Sequence, residues 1–169
     1  MVFPNQKNQN QSCNMAHFAK LGVDNIVTDI LHVDTIDNMT SGGIEKEEIG
    51  IAHLIKHHKH ENWRQCSYNT LRGQHLDGKT PFRANYPGIG WYYDSTHDIF
   101  YEPRPTDMDG DSCASWTLNT TTGHYDPPIT RPTETEQMII DGKKWKWDES
   151  AYQADNSTGW VSVQQPVES

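Results

Sequence analysis

The chain has 169 residues, with 23 acidic against 14 basic side chains and a formal charge of -9. That length holds one domain with at most small appendages, and the acidic balance argues against nucleic acid or an anionic membrane as a main partner, since both are held by basic patches. Hydrophobic residues make up 34%, and six Trp, seven Tyr and four Phe supply much of that share, so a small, aromatic-heavy core completed by partner subunits is expected.

The first fourteen residues, MVFPNQKNQNQSCN, are dominated by Asn and Gln. They have neither the charged nor the apolar region of a secretory signal, so an extended N-terminal arm is expected over 1–14. Only Val2, Phe3 and Pro4 offer it apolar area, and they are the arm's expected partner-binding residues, docking in an apolar groove of a neighbouring subunit. No apolar run approaches the roughly 20 residues of a membrane span. Composition changes at Met15, where an ordered unit is expected to begin. Asn25–Val33 reads as a strand, and 37–43 as a loop. Glu45, Glu47 and Glu48 come early and Lys56 and Lys59 late in the next segment, an order that suits the helix dipole and predicts a helix over about 46–59. Trp63–Asn69 alternates like a strand. Residues 70–88, with the turn pair Asp77-Gly78, read as an ordered loop anchored by Leu76, Phe82 and Tyr86.

Three similar stretches follow: Gly90–Pro105, Ser115–Pro132 and Lys144–Pro166. Each opens near a Trp, alternates bulky and polar residues, passes a polar turn, reaches a second aromatic and closes on Pro. Alternation on both sides of a turn predicts a β-hairpin. Gln137–Ile140 adds an expected short strand ending at Asp141-Gly142. The expected fold is therefore mainly β (α+β), an array of antiparallel aromatic hairpins with one short helix. It divides into 15–88 and a three-hairpin region 89–169 within one structural unit.

The blocks MAHFAKLG, GIAHL, WRQCSYNT, KTPFRANYPGIGWYYD, DIFYEPRP and SWTLN, in that order, resemble a family of virion structural proteins of marine tailed bacteriophages, mainly of the cyanophage type. The resemblance spans about 15–165. It implies a non-enzymatic particle component, in the capsid, tail or fibre, that binds other phage proteins and copies of itself in the virion after assembly in the host cytoplasm. It supplies no catalytic residues and no cofactor. The chain departs from that pattern in its first fourteen residues, in the His-rich HHKHENW and in the long acidic loop DMDGDSC.

On a continuous helix His53, His57 and Glu61 share one face and could hold Zn²⁺ or Ni²⁺, the basis of a metal-dependent hydrolase reading. The order HExxH is absent, and a His-rich helix end is the plainer account. Asp107, Asp109 and Asp111 alternate as in a calcium loop, but the turn glycine, Gly110, falls at the fourth place and Leu118 stands where the closing Glu belongs. Cys13, Cys66 and Cys113 are odd in number with no CxxC, which fits free thiols in a reducing compartment; one disulfide with a spare thiol is the alternative. The sequon at Asn119 has no meaning without an export route. GxSxG, GxGxxG and P-loop patterns are absent. A pair of carboxylates for glycoside cleavage is a matter of spatial geometry that spacing does not decide.

Trp91, Trp116, Trp145, Trp147 and Trp160 have two readings. They pack as cross-strand pairs and partner contacts, or they stack on sugars in a carbohydrate-binding module for host glycans. The first is preferred, because Trp145 and Trp147 share a hairpin face and the core lacks aliphatics. Deleting residues 1–14 is expected to leave the thermal midpoint of the isolated chain nearly unchanged while weakening incorporation into a particle. A large fall in midpoint would place the arm in the core instead.

Overall fold

The computed structural model describes residues 15–34, 40–41 and 44–165; Val2, Phe3, Pro4, Cys13 and the rest of the expected arm lie outside them. β1 (Met15–Leu21) is the middle strand of a three-stranded antiparallel sheet, between β2 (Val27–Asp34) and β5 (Trp63–Cys66). Residues paired in register project to the same face. Phe18 lies opposite Leu31 and Gln65, and Ala19 opposite Ile30 and Arg64. One face therefore carries Ala16, Phe18, Val33 and Trp63, which pack with Leu54 of α1 (Glu47–His58). The other carries Ala19, Leu21, Val27 and Cys66, which pack with Tyr93 and Phe100. Full burial of side chains such as Phe18 and Leu21 stabilises by about 1.5–3 kcal/mol each.

The helix matches its sequence signal. Glu47 and Glu48 lie in its first turn and Lys56 in its last, and it ends where Lys59 turns left-handed at φ 52°. β5 stops at Cys66, short of the expected Asn69, because Thr70 donates its N–H to the Ser67 carbonyl at 3.1 Å and turns the chain. Two short pairs, β3 (Thr40–Ser41) with β4 (Ile44–Glu45) and β6 (Thr70–Leu71) with β7 (Gln74–His75), complete this half.

The three aromatic stretches form three antiparallel pairs. β8 (Tyr92–Asp94) pairs with β9 (Ile99–Tyr101), β10 (Thr117–Asn119) with β11 (His124–Asp126), and β12 (Lys143–Trp147) with β13 (Trp160–Gln164). The Tyr92 and Tyr101 rings stack across the first hairpin at 5.4 Å. The fold is mainly β, in small antiparallel sheets, but the described residues hold three short α-helices where one was expected. Gln137–Ile140 is not a strand: α2 (Glu136–Ile140) forms because the Thr135 hydroxyl accepts the Met138 N–H and Glu136 favours the first turn. The third hairpin is interrupted by α3 (Glu149–Ala154), capped by the Asp148 carboxylate on the Ala151 N–H at 2.8 Å.

Two polar side chains join these pieces. The Arg83 guanidinium donates to both Glu47 carboxylate oxygens at 2.7 and 3.0 Å, to Asp98 at 2.6 Å and to the Gln65 carbonyl at 2.8 Å. Asn85, fully buried, donates to the Phe100 and Thr122 carbonyls at 2.9 and 2.8 Å and accepts the Arg72 N–H at 2.8 Å. The second hairpin approaches so closely that a Cβ on Gly123 would lie 2.3 Å from Asn85 Nδ2 and 2.4 Å from the Phe100 oxygen, at a φ of +66°. Gly78 has a similar φ of +69° but open space around it. Gly123→Ala is expected to cost about 2–4 kcal/mol in denaturant unfolding and Gly78→Ala only about 1 kcal/mol. Equal losses would show that the backbone angle alone matters at Gly123.

Candidate functional site

Of the five tryptophans expected to bind partners or ligands, the fold gathers three. Trp147 lies opposite Trp160 in the third hairpin, and their rings meet edge to face at 5.2 Å. Trp116 joins them at 5.8 Å from Trp147 and 6.1 Å from Trp160, and Tyr152 of α3 closes on Trp147 at 5.3 Å. Gly159 leaves room for this box, since a Cβ there would lie 2.6 Å from the Trp147 ring. Trp145 stands apart and donates to the Thr133 carbonyl at 3.4 Å; Trp91 faces His124. The tryptophans do not form the exposed row expected of a sugar-stacking platform.

Under the box lies Glu149, 7% exposed. Its carboxylate accepts from Trp147 Nε1 at 2.9 Å, the Ser115 N–H at 2.9 Å, the Ser115 hydroxyl at 2.8 Å and Gln153 Nε2 at 2.9 Å. Burial alone pushes its pKa up. The hydrogen bonds from Trp147, Gln153 and Ser115 outweigh that and hold it below the ordinary glutamate value.

A cleft of about 350 Å³ separates the first and second hairpins. Glu102, just past β9, accepts from His124 Nδ1 at 2.7 Å across it. A carboxylate only accepts, so His124 Nδ1 carries the proton of this bond. His124 Nε2 and Trp116 Nε1 are buried without hydrogen-bond partners, and each ring meets a neighbouring indole edge to face, Trp91 and Trp147 respectively. Arg72 reaches the cleft from the turn between β6 and β7, at a φ of +51°. Asp126 is held by Asn119 Nδ2 at 2.8 Å, and Tyr125 lies under the Arg104 guanidinium at 4.4 Å. Sequence reasoning named Trp116 but missed Glu102, His124, Arg72, Tyr125 and Asp126. Their convergence spans three separate turns, and no local spacing carries it.

The other candidates are occupied with structure. Helix α1 ends before Glu61, so Glu61 does not continue the face of His53 and His57, whose rings lie 4.5 Å apart. His60 Nε2 bonds the Leu21 carbonyl at 2.8 Å. Among the described residues no three His, Cys, Asp or Glu side chains converge as a metal would need. Asp107 uses its carboxylate on the N–H groups of Asp109, Asp111 and Glu149, at 2.9–3.0 Å. It is a staple between the acidic loop and α3. Cys66 and Cys113 are free and buried. Burial pushes Cys66 up to about 12, and burial with the nearby Glu149 and Asp107 pushes Cys113 up to about 11, so neither is a thiolate nucleophile at neutral pH.

No protein-family model, curated protein or solved structure matches this chain.

A glutamate whose folded pKa is depressed stabilises the fold fully above its unfolded value, about 4.3, and loses that contribution as pH falls through the folded value. Wild-type stability is therefore expected to fall as pH drops from about 5 toward 2. Glu149→Gln should be less stable near neutral pH and show a shallower acid slope, read as thermal midpoint against pH. Parallel curves for the two proteins would mean that Glu149 is not ionised in the fold.

Proposed function

We propose that the chain is a non-enzymatic structural component of a tailed-bacteriophage particle, bound in many copies to other particle proteins and to itself. The observation that carries the assembling character is apolar surface displayed on ordered chain. Tyr68, Leu71 and Leu76 are 60%, 53% and 68% exposed, yet their segment is held by defined bonds. The Leu76 N–H donates to the Asn69 carbonyl at 2.8 Å, and the Phe82 N–H to the Thr70 hydroxyl at 3.0 Å. Ile139 and Ile140 are similarly bare on α2. Large side chains kept out of two small cores and fixed in place suit coverage by a neighbouring subunit. The buried, protonated thiols and the structural employment of Asp107 and Glu149 fit a scaffold better than a catalyst.

The phage setting rests on the ordered sequence blocks from Met15 to Asn119. On this proposal the chain belongs to the virion and is assembled in the host cytoplasm. A Leu71→Ser/Leu76→Ser variant is expected to keep the unfolding free energy within about 1 kcal/mol, because both positions are exposed, but to lose incorporation into purified particles by quantitative mass spectrometry. Undiminished incorporation would remove this surface from the assembly, and absence of the wild-type chain from particles would overturn the proposal itself.

A further inference from the structure

We propose that the cleft between the first and second aromatic hairpins is a binding site for a neutral saccharide. This rests on the cleft's own chemistry and stands whether or not the chain assembles into a particle.

A sugar presents hydroxyls that both donate and accept, and C–H faces that pack on aromatic rings. The cleft offers a counterpart for each. Glu102 and Asp126 supply carboxylate acceptors, Arg72 supplies guanidinium donors, and Trp116 and Tyr125 supply ring surface. The volume of about 350 Å³ lies at the small end of ligand pockets, so a short saccharide segment fits better than a folded partner.

Charge narrows the class. Arg72 stands against Glu102 and Asp126, and Arg104 lies over Tyr125, so the charges around the cleft nearly balance and offer phosphates, sulfates and sialic acids no cationic excess. It is also a poor cation site. Glu102 Oε1 is taken by His124 at 2.7 Å, Asp126 Oδ2 by Asn119 at 2.8 Å, and Arg72 shares the lining. An uncharged polyol is the remaining chemistry.

The groups are also set before a ligand arrives. His124 fixes Glu102, Asn119 fixes Asp126, Arg104 lies over Tyr125, and the Trp147 and Trp160 rings brace Trp116. Side chains already ordered by their neighbours lose little entropy on binding.

The test is an array of neutral glucose-, galactose-, mannose- and N-acetylglucosamine-containing oligosaccharides, with sialylated and sulfated glycans beside them, probed with the full-length chain. Hits are then titrated by intrinsic tryptophan fluorescence. Glu102→Gln and Asp126→Asn are each expected to weaken binding about ten-fold or more, because a charged acceptor becomes an amide. Asp126 is exposed, so its variant should keep the wild-type near-ultraviolet circular dichroism even if Glu102→Gln perturbs the fold through His124. Asp109→Asn, outside the cleft, should bind like wild type. The proposal is overturned if no neutral saccharide binds at millimolar concentration, if acidic glycans are preferred, or if Asp126→Asn binds as tightly as wild type.

Discussion

The Arg83 guanidinium is the joint on which the rest of the chain depends. It is met by Glu47 from the helix, by the Gln65 carbonyl from the edge of the central sheet and by Asp98 from the turn of the first hairpin. It also lies over the Phe82 and Tyr93 rings, at 4.9 and 5.8 Å. Tyr93 donates its hydroxyl to the same Asp98 oxygen at 2.5 Å. Burial disfavours the ionised Asp98, but the bonds from Tyr93 and Arg83 outweigh it and hold its pKa below the ordinary value. The guanidinium is only 10% exposed, so losing Glu47 would leave it with the 56% exposed Asp98 as its carboxylate partner, while losing Arg83 would leave both carboxylates without their cation. The backbone is bent to serve this joint: Arg83 and Ala84 are both left-handed, at φ 54° and 59°. That geometry costs about 1–2 kcal/mol per residue and persists only where the surroundings determine it.

The same device recurs along the chain. Each aromatic hairpin is too short to bury its own apolar face, and each is tied in by a buried polar side chain. Arg83 holds the first. Asn85 links the first to the second through the Phe100 and Thr122 carbonyls. Asp107 and Glu149 hold the third, one on the N–H of Glu149 and the other on Ser115 and Trp147. A chain poor in aliphatic residues thus replaces part of a hydrophobic core with hydrogen bonds made out of water, where a satisfied group specifies one arrangement and an unsatisfied one is costly. The cleft beside Trp116 is a by-product of that construction, since the groups that join hairpins also leave their edges lined with carboxylate, guanidinium and ring.

The parts legible in the sequence were those written in local periodicity. The helix from Glu47 to His58 and the three antiparallel aromatic pairs follow from charge order and alternation. β1 was not legible as a strand, because it is covered on both faces and its MAHFAKL carries Ala, His and Lys where alternation would show apolar and polar. The two later helices were hidden because they are short and depend on single caps, Thr135 and Asp148, inside segments read as a short strand before the Asp141-Gly142 turn and as an aromatic hairpin. The joints were least legible of all. Nothing about Arg83 or Asn85 within the loop at 70–88 marks them as buried, since their partners lie between 13 and 37 residues away in sequence. The candidate site shares that limitation: Trp116 was visible as an aromatic, whereas Glu102 and His124 meet only after two hairpins dock.

The claim that a buried ion network organises the hairpins is tested most directly by a double-mutant cycle on Arg83→Met and Glu47→Gln, with unfolding free energies from denaturant titration. The account predicts that Arg83→Met loses about 3–5 kcal/mol, that Glu47→Gln loses less because Asp98 still faces the guanidinium, and that the double variant loses less than the sum by about 1 kcal/mol or more. Losses that add to within about 0.5 kcal/mol would contradict it and leave the aromatic packing as the organising force.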